Sequence, residues 1–271
     1  MTMVTATDAD FVLDWQLFRH EHETRRADPH GFLAITSLRW LDAQPTRFDD
    51  APGAWSTTAE GIVVDLEPGE TLTLDDVTLS GHHVVGHLAE RESRYAAFGD
   101  AVVEIARRAG NDIVRPRHPD SPVLRAYRGT PTFAPDGRWR RPATFEPYDT
   151  PREVTVGAVV DGLSHVYASP GELVVDLDGT EHRLVAFDGY APGGFMVLFT
   201  DATSGVTTYA ANRSVAVPAP DAEGRTTVDF NRAVNLPCAY TAFATCPLPP
   251  AGNDLPVAVE AGERIPADET P

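Results

Sequence analysis

Asp229-Phe230-Asn231-Arg232-Ala233-Val234-Asn235-Leu236-Pro237-Cys238-Ala239-Tyr240 sets a carboxylate, a guanidinium, two carboxamides, a thiol and a phenol in one short run. Such groups can hold a small polar or anionic molecule, because arginine forks onto carboxylate or phosphate while Asn and Tyr supply neutral donors and acceptors. They can equally satisfy one another, as an Asp–Arg network that fastens an irregular segment and selects one conformation. Both uses stay open at this point. Upstream, Asp201-Ala202-Thr203-Ser204-Gly205 reads as a turn, serving as a hairpin loop or as a ligand loop. Tyr209 and Arg213 follow it. The expected ligand-binding set is therefore Tyr209, Arg213, Asp229, Asn231, Arg232, Asn235, Cys238 and Tyr240.

The two arginines divide by their chain neighbours. Arg232 lies close to Asp229 and Asn235, which favours an internal partner. Arg213 has Ala210, Ala211 and Ser214 around it, none of them charged, which favours a ligand. On an extended strand Asp229 and Asn231 share a face and Arg232 points to the other. The main alternative is a structural or protein-interaction module in which these groups close on themselves. A second alternative is a hydrolase-like enzyme using Cys238 or Asp229, with His165 or His182 as the base a thiol needs.

Several chemistries are excluded. All 22 basic residues are arginine. Without a lysine there is no Schiff base, no pyridoxal phosphate enzyme and no Walker-type phosphate loop. The Gly-x-Ser-x-Gly elbow and the dinucleotide glycine fingerprint are absent. His82 and His83 face opposite ways on a strand, and His83 and His87 have no third ligand at a recognisable spacing, so no metal and no cofactor is expected. A net charge of −18 marks an acidic protein and disfavours nucleic acid, whose backbone calls for clustered cations. No apolar run approaches the roughly 18 residues of a membrane span, and Met1 to Asp8 lacks a secretory pattern. The expected setting is the cytoplasm, with Cys238 and Cys246 reduced and buried. If Pro237 opens a helix, the two thiols are about 12 Å apart, too far to bridge; on a looped segment a bridge is open to them. The expected partner is a small molecule.

The elements that must position these groups are mostly strands. Residues 8–30 read as an amphipathic helix packed on the body, capped by Asp8 or Asp10, with Phe11, Trp15, Phe18 and His22 on one face. From Gly61 onward short β-branched runs recur between turn residues, at 62–66, 71–74, 83–88, 101–105, 144–148, 153–156, 165–169, 173–177, 182–187, 195–199 and 226–230. Asp178-Gly179 predicts a type I′ hairpin. Val114 to Pro122, with three prolines, reads as an extended connection. Pro237, Pro247, Pro249, Pro250 and Pro256 forbid a long helix or central strand, yet Leu236, Tyr240, Phe243 and Leu248 are too apolar for a loose tail. The fold expected is mainly β: an antiparallel sandwich or barrel, with an N-terminal helix and a Pro-rich C-terminal wrap. The strand series favours one β-rich domain over 31–265, with 266–271 as a tail, rather than a division near 145–151.

Certain residues carry a family resemblance. Gly31-Phe32-Leu33, Leu38-Arg39-Trp40-Leu41, Phe145-Glu146-Pro147-Tyr148-Asp149, Asp201-Ala202-Thr203-Ser204-Gly205, Tyr209, Arg213 and the C-terminal block stand in order from about Trp15 to Glu263. In these marks the chain resembles the domain-of-unknown-function 1684 family of bacterial and archaeal proteins. One departure is Ser37, where the family usually has glycine. The resemblance implies a common fold, but no reaction.

Overall fold

The computed structural model describes residues 8–266. Residues 1–7 of the secretory-signal reading, the side chain of Asp8, and all but the first residue of the expected tail lie outside the described residues, and Asp10, the other expected cap, lies inside the first helix. Contacts divide the chain into two compact units: a C-terminal unit holding the helix residues up to Thr24, Arg128–Tyr240 and the chain from Cys246, and an N-terminal unit of Arg25–Tyr127 with Thr241–Thr245. The sequence pattern favoured one merged β body. The division falls at Tyr127/Arg128, not near 145–151, because one continuous strand runs through that region.

Helix α1 (Asp8–Arg26) forms as its periodicity requires. Phe11, Trp15, Phe18 and His22 are half-buried along one face, and Leu13 and Leu17 stay exposed on the other.

In the N-terminal unit the strands are β1 (Arg39–Trp40), β2 (Thr46–Phe48), β3 (Ala51–Thr58), β4 (Gly61–Asp65), β5 (Leu72–Leu74), β6 (Val77–Leu79), β7 (His82–Gly86), β8 (Ser93–Phe98), β9 (Ala101–Arg108) and β10 (Asn111–Arg117), followed by the short helix α2 (Pro122–Ala126). They make a six-stranded sheet, β1-β10-β9-β8-β5-β6, and a four-stranded one, β2-β3-β4-β7. Trp55, Ile62 and Val64 of the smaller sheet share a core with Leu72, Val103, Ile105 and Val114 of the larger. This is a sandwich, held by alternate residues of facing strands.

Residues 111–117 correct the expectation of an open connection. They form a fully paired strand, with Pro116 opposite Val103. The Pro116 carbonyl accepts from Thr36 N–H, so its nitrogen, pointing to the same side, faces beyond the two-residue β1. The missing donor therefore costs the β9 pairing nothing.

The C-terminal unit contains β11 (Arg140–Gly157), β12 (Ser164–Leu177), β13 (Thr180–Asp188), β14 (Phe195–Asp201), β15 (Arg213–Val217), β16 (Arg225–Asp229), β17 (Val234–Asn235) and β18 (Asp254–Leu255). They run in the order β16-β11-β12-β13-β14-β15-β17, with β18 parallel to β14 and all other pairs antiparallel. The sheet curls into a half-barrel whose first strand, β16, returns close to β15. Asp178 and Gly179 have φ of 54° and 83°, the two positive values a type I′ turn needs. The half-barrel is filled by Leu173, Leu184, Val197, Phe199, Val215 and Val228. The Pro-rich wrap adds Phe230, Leu255, Val259 and Ala261 to the same core. An apolar wrap whose regular structure is limited to two-residue strands and 3-10 turns is thereby part of the core.

Candidate functional site

Hairpin β14–β15 sets Arg213 opposite Phe199. From there its guanidinium lies over the Phe199 ring at 5.1 Å and reaches Asp201, with Nη2 to Oδ2 at 2.7 Å. It also donates to the carbonyls of Val259 (3.0 Å), Glu263 (3.3 Å) and Ala261. The other Asp201 oxygen accepts from Thr203 N–H (2.7 Å), the Thr203 hydroxyl (2.6 Å) and Val259 N–H (3.2 Å). Both charged side chains are 0% exposed. Burial pulls Arg213 below its ordinary pKa, and the charges of Asp201 and Glu263 oppose that. A pair so deep is tolerable because both Nη groups and both carboxylate oxygens find partners, Nε being the donor left without one.

This overturns the ligand role expected of Arg213, while Arg232 keeps the internal partner expected for it, Asp229. Arg213 is the internal clamp: its partner lies across the hairpin and its other acceptors arrive from the C-terminal wrap, none of them chain neighbours. Arg232 is 31% exposed, stacks on Phe18 and pairs with Asp14 of α1, with Asp229 at 3.5 Å. The shared face of Asp229 and Asn231 is also corrected, because 230–232 is a 3-10 turn, not strand. Asp229 caps it, accepting from Asn231 N–H (3.1 Å) and Nδ2 (2.9 Å). The Asn231 carboxamide clasps the Asp136 backbone, N–H to Oδ1 at 2.9 Å and Nδ2 to carbonyl at 3.0 Å. Trp15 of α1 donates to the Asn231 carbonyl at 3.0 Å.

A second centre forms around Glu263, which the sequence reading did not single out as a site residue. Gly262 precedes it with φ 72°, and a Cβ there would stand 2.5 Å from the Ala233 carbonyl oxygen, so only glycine delivers the turn. The Glu263 side chain is 0% exposed. It accepts from Asn235 N–H (2.6 Å), Tyr240 Oη (3.4 Å) and the Arg19 guanidinium, with His22 Nε2 at 3.7 Å. Tyr240 Oη also meets the Thr130 hydroxyl at 2.8 Å, and Asn235 Nδ2 donates to the Arg264 carbonyl at 2.8 Å. Asn235 Oδ1 is buried with no hydrogen-bond partner. Arg19 and His22 reach the centre because both lie on the buried face of α1. The legible signal was His22 on that face together with the Gly262-Glu263 step.

Tyr209 and Cys238 make a third group. Tyr209 Oη donates to the Cys238 carbonyl at 2.8 Å, and Cys238 N–H donates to Cys246 Sγ at 3.2 Å. Burial, with Cys238 beside it, pushes the Tyr209 phenol up. The hydrogen bond from Cys246 holds the Cys238 thiol below its usual value, against burial. Neither cysteine is in a disulfide. Cys246 is buried as expected, and Cys238 is half-buried. Titration with a thiol reagent is expected to find two thiols without reductant, Cys238 reacting before Cys246 and both equally fast in urea. A count of zero in urea would mean a disulfide and contradict the structure.

The eight expected site residues thus divide among these groups: Asn235 and Tyr240 join Glu263, Tyr209 joins Cys238, Arg213 joins Asp201, and Asp229, Asn231 and Arg232 fasten α1 and 136. Among the described residues no three His, Cys, Asp or Glu side chains come together to hold a metal ion. No described helix is long and apolar enough to cross a membrane.

The solution NMR structure of an uncharacterized protein from Haloarcula marismortui is 35% identical, covering 53% of this chain and 80% of that one, with a TM-score of 0.44. No curated protein matches the sequence. The family model described as a protein of unknown function (DUF1684) matches residues 125–264, more than half of the 271 residues. The match takes in Arg213, Asp201, Glu263 and the whole C-terminal block, and the chain belongs to this family.

Proposed function

We propose that the protein binds a small polar molecule, one bearing an anionic group, at the Glu263 centre. The observation that carries this reading is the contrast between the two charged centres of the C-terminal unit. Asp201 and Arg213 are shut off from solvent, whereas the groups around Glu263 open outward through His22 (22% exposed) and Glu23 (26%). A ligand there meets the imidazole and guanidinium of α1 with its anionic group. It meets the Tyr240 phenol and the unpartnered Asn235 oxygen with its hydroxyl or amide groups. The setting proposed with it is the cytoplasm, where thiols such as those of Cys238 and Cys246 stay reduced.

Thermal unfolding against a panel of small organic acids, amino acids and sugar phosphates tests it. At least one compound is expected to raise the melting temperature of the parent and to leave that of His22→Ala unmoved. His22 sits on the rim, so the variant itself keeps a parent-like melting temperature. No shift with any compound, or no compound whose shift is abolished in His22→Ala, would refute the reading. For the Arg213 network a second reading is favoured: it is a structural clamp, because its side chain is 0% exposed and its two Nη groups are taken up by Asp201 and three carbonyls of the wrap.

A further inference from the structure

We infer a separate oxyanion-binding site in the N-terminal unit, in the cleft floored by Arg117. Its origin is a row of side chains on the outer face of the six-stranded sheet. Register places Tyr95, Glu104 and Arg115 directly across β8, β9 and β10, on the face opposite Val103 and Ile105. Glu104 is 1% exposed and accepts a fork from Arg115, Nε at 2.9 Å and Nη2 at 2.7 Å. It also accepts from Arg108 (3.0 Å), Ser93 (2.9 Å) and Arg117. Three guanidinium groups therefore share one carboxylate, and the buried cluster carries an excess of positive charge. In a chain of net charge −18 that excess is unusual, and a desolvated cation calls for an anion.

Arg117 is the member of the cluster that lines a cleft. It is 9% exposed and lines an open cleft of about 500 Å³ with Arg25, Asp28, His30, Tyr95 and Val102. Of its five N–H groups, one bonds Glu104 and one the His30 carbonyl. Its Nε is buried with no hydrogen-bond partner. A side chain so placed is short of acceptors, and a carboxylate or phosphate oxygen is the acceptor that suits a guanidinium fork. Arg25 on the exposed rim adds a second guanidinium to the mouth, beside the His30 ring, whose Nε2 lies 2.8 Å from the Asp100 carbonyl oxygen. Among the lining residues Asp28 carries the carboxylate, and it accepts from the His30 backbone N–H at 2.7 Å. Tyr95 and Val102 offer apolar surface to the body of the ligand. The site belongs to a different unit from the Glu263 centre, so the two stand or fall separately.

Calorimetric titration of the full chain with inorganic phosphate and, in a second arm, with citrate, each against sodium chloride at matched ionic strength, tests the site. Saturable binding of at least one is expected, the stronger arm telling whether the group is phosphate or carboxylate. Arg25→Ala and Arg117→Gln are each expected to weaken it about tenfold, as loss of a charge-assisted hydrogen bond does, and His22→Ala to leave it unchanged. If Arg117→Gln does not fold, the rim variant Arg25→Ala still decides. Heat that follows ionic strength alone, or binding unaffected by Arg25→Ala, would overturn the assignment.

Discussion

Replacing Arg213 by alanine is expected to destabilise the C-terminal unit by about 3–5 kcal/mol, the range for removing one partner of a buried ion pair. The substitution strands Asp201, which is 0% exposed, and frees the carbonyls of Val259, Ala261 and Glu263 that hold the wrap. The wrap in turn places Val259 and Ala261 in the half-barrel core, so loss of the clamp opens apolar surface as well. Arg232→Ala is expected to cost less than about 1 kcal/mol, because that side chain is part-exposed and its pair with Asp14 is screened. Native-state hydrogen exchange of the β12 and β14 amides in urea reads both. Equal losses at the two positions would contradict the division of roles.

In the N-terminal unit the largest effect is expected at Glu104. Glu104→Gln leaves Arg108, Arg115 and Arg117 facing one another without their shared carboxylate, at a cost of about 3–5 kcal/mol. Burial alone would raise this carboxyl, but the Arg115 and Arg117 charges and hydrogen bonds outweigh it and hold the group down at about 2, from 4.5. A folded value below the unfolded one contributes stability that is present above pH 4.5 and is lost as pH falls through 2. The contribution is about 3 kcal/mol, from the size of the shift. Acid titration of amide exchange in β9 and β10 is expected to show that loss in the parent and a flatter profile in the variant. Parallel profiles would show that Glu104 is not the group responsible.

What could be read from the chain was what neighbours in sequence decide. Asp178-Gly179 announced its hairpin because a type I′ turn is a local demand on two residues. The helix face of Phe11, Trp15, Phe18 and His22 was visible as a 3.6-residue period. The mainly β architecture followed from short β-branched runs. Arg213 was misread for the converse reason: its partners are Asp201, across a hairpin, and carbonyls some fifty positions on, such as Glu263. Asp229 and Asn231 were placed by a strand period that a 3-10 turn interrupts. The strand at Arg115-Pro116-Arg117 was hidden by its proline, although two arginines at strand spacing and a lone Glu104 in an apolar strand were the trace of a charged face.

The central claim, that a buried guanidinium–carboxylate pair fixes the C-terminal wrap, is tested most directly by a double-mutant cycle between Asp201→Asn and Arg213→Met in urea. Each single variant leaves its partner charge stranded, and the double variant leaves none. The double is expected to cost less than the sum of the singles by at least about 2 kcal/mol. Additivity within about 0.5 kcal/mol would contradict it.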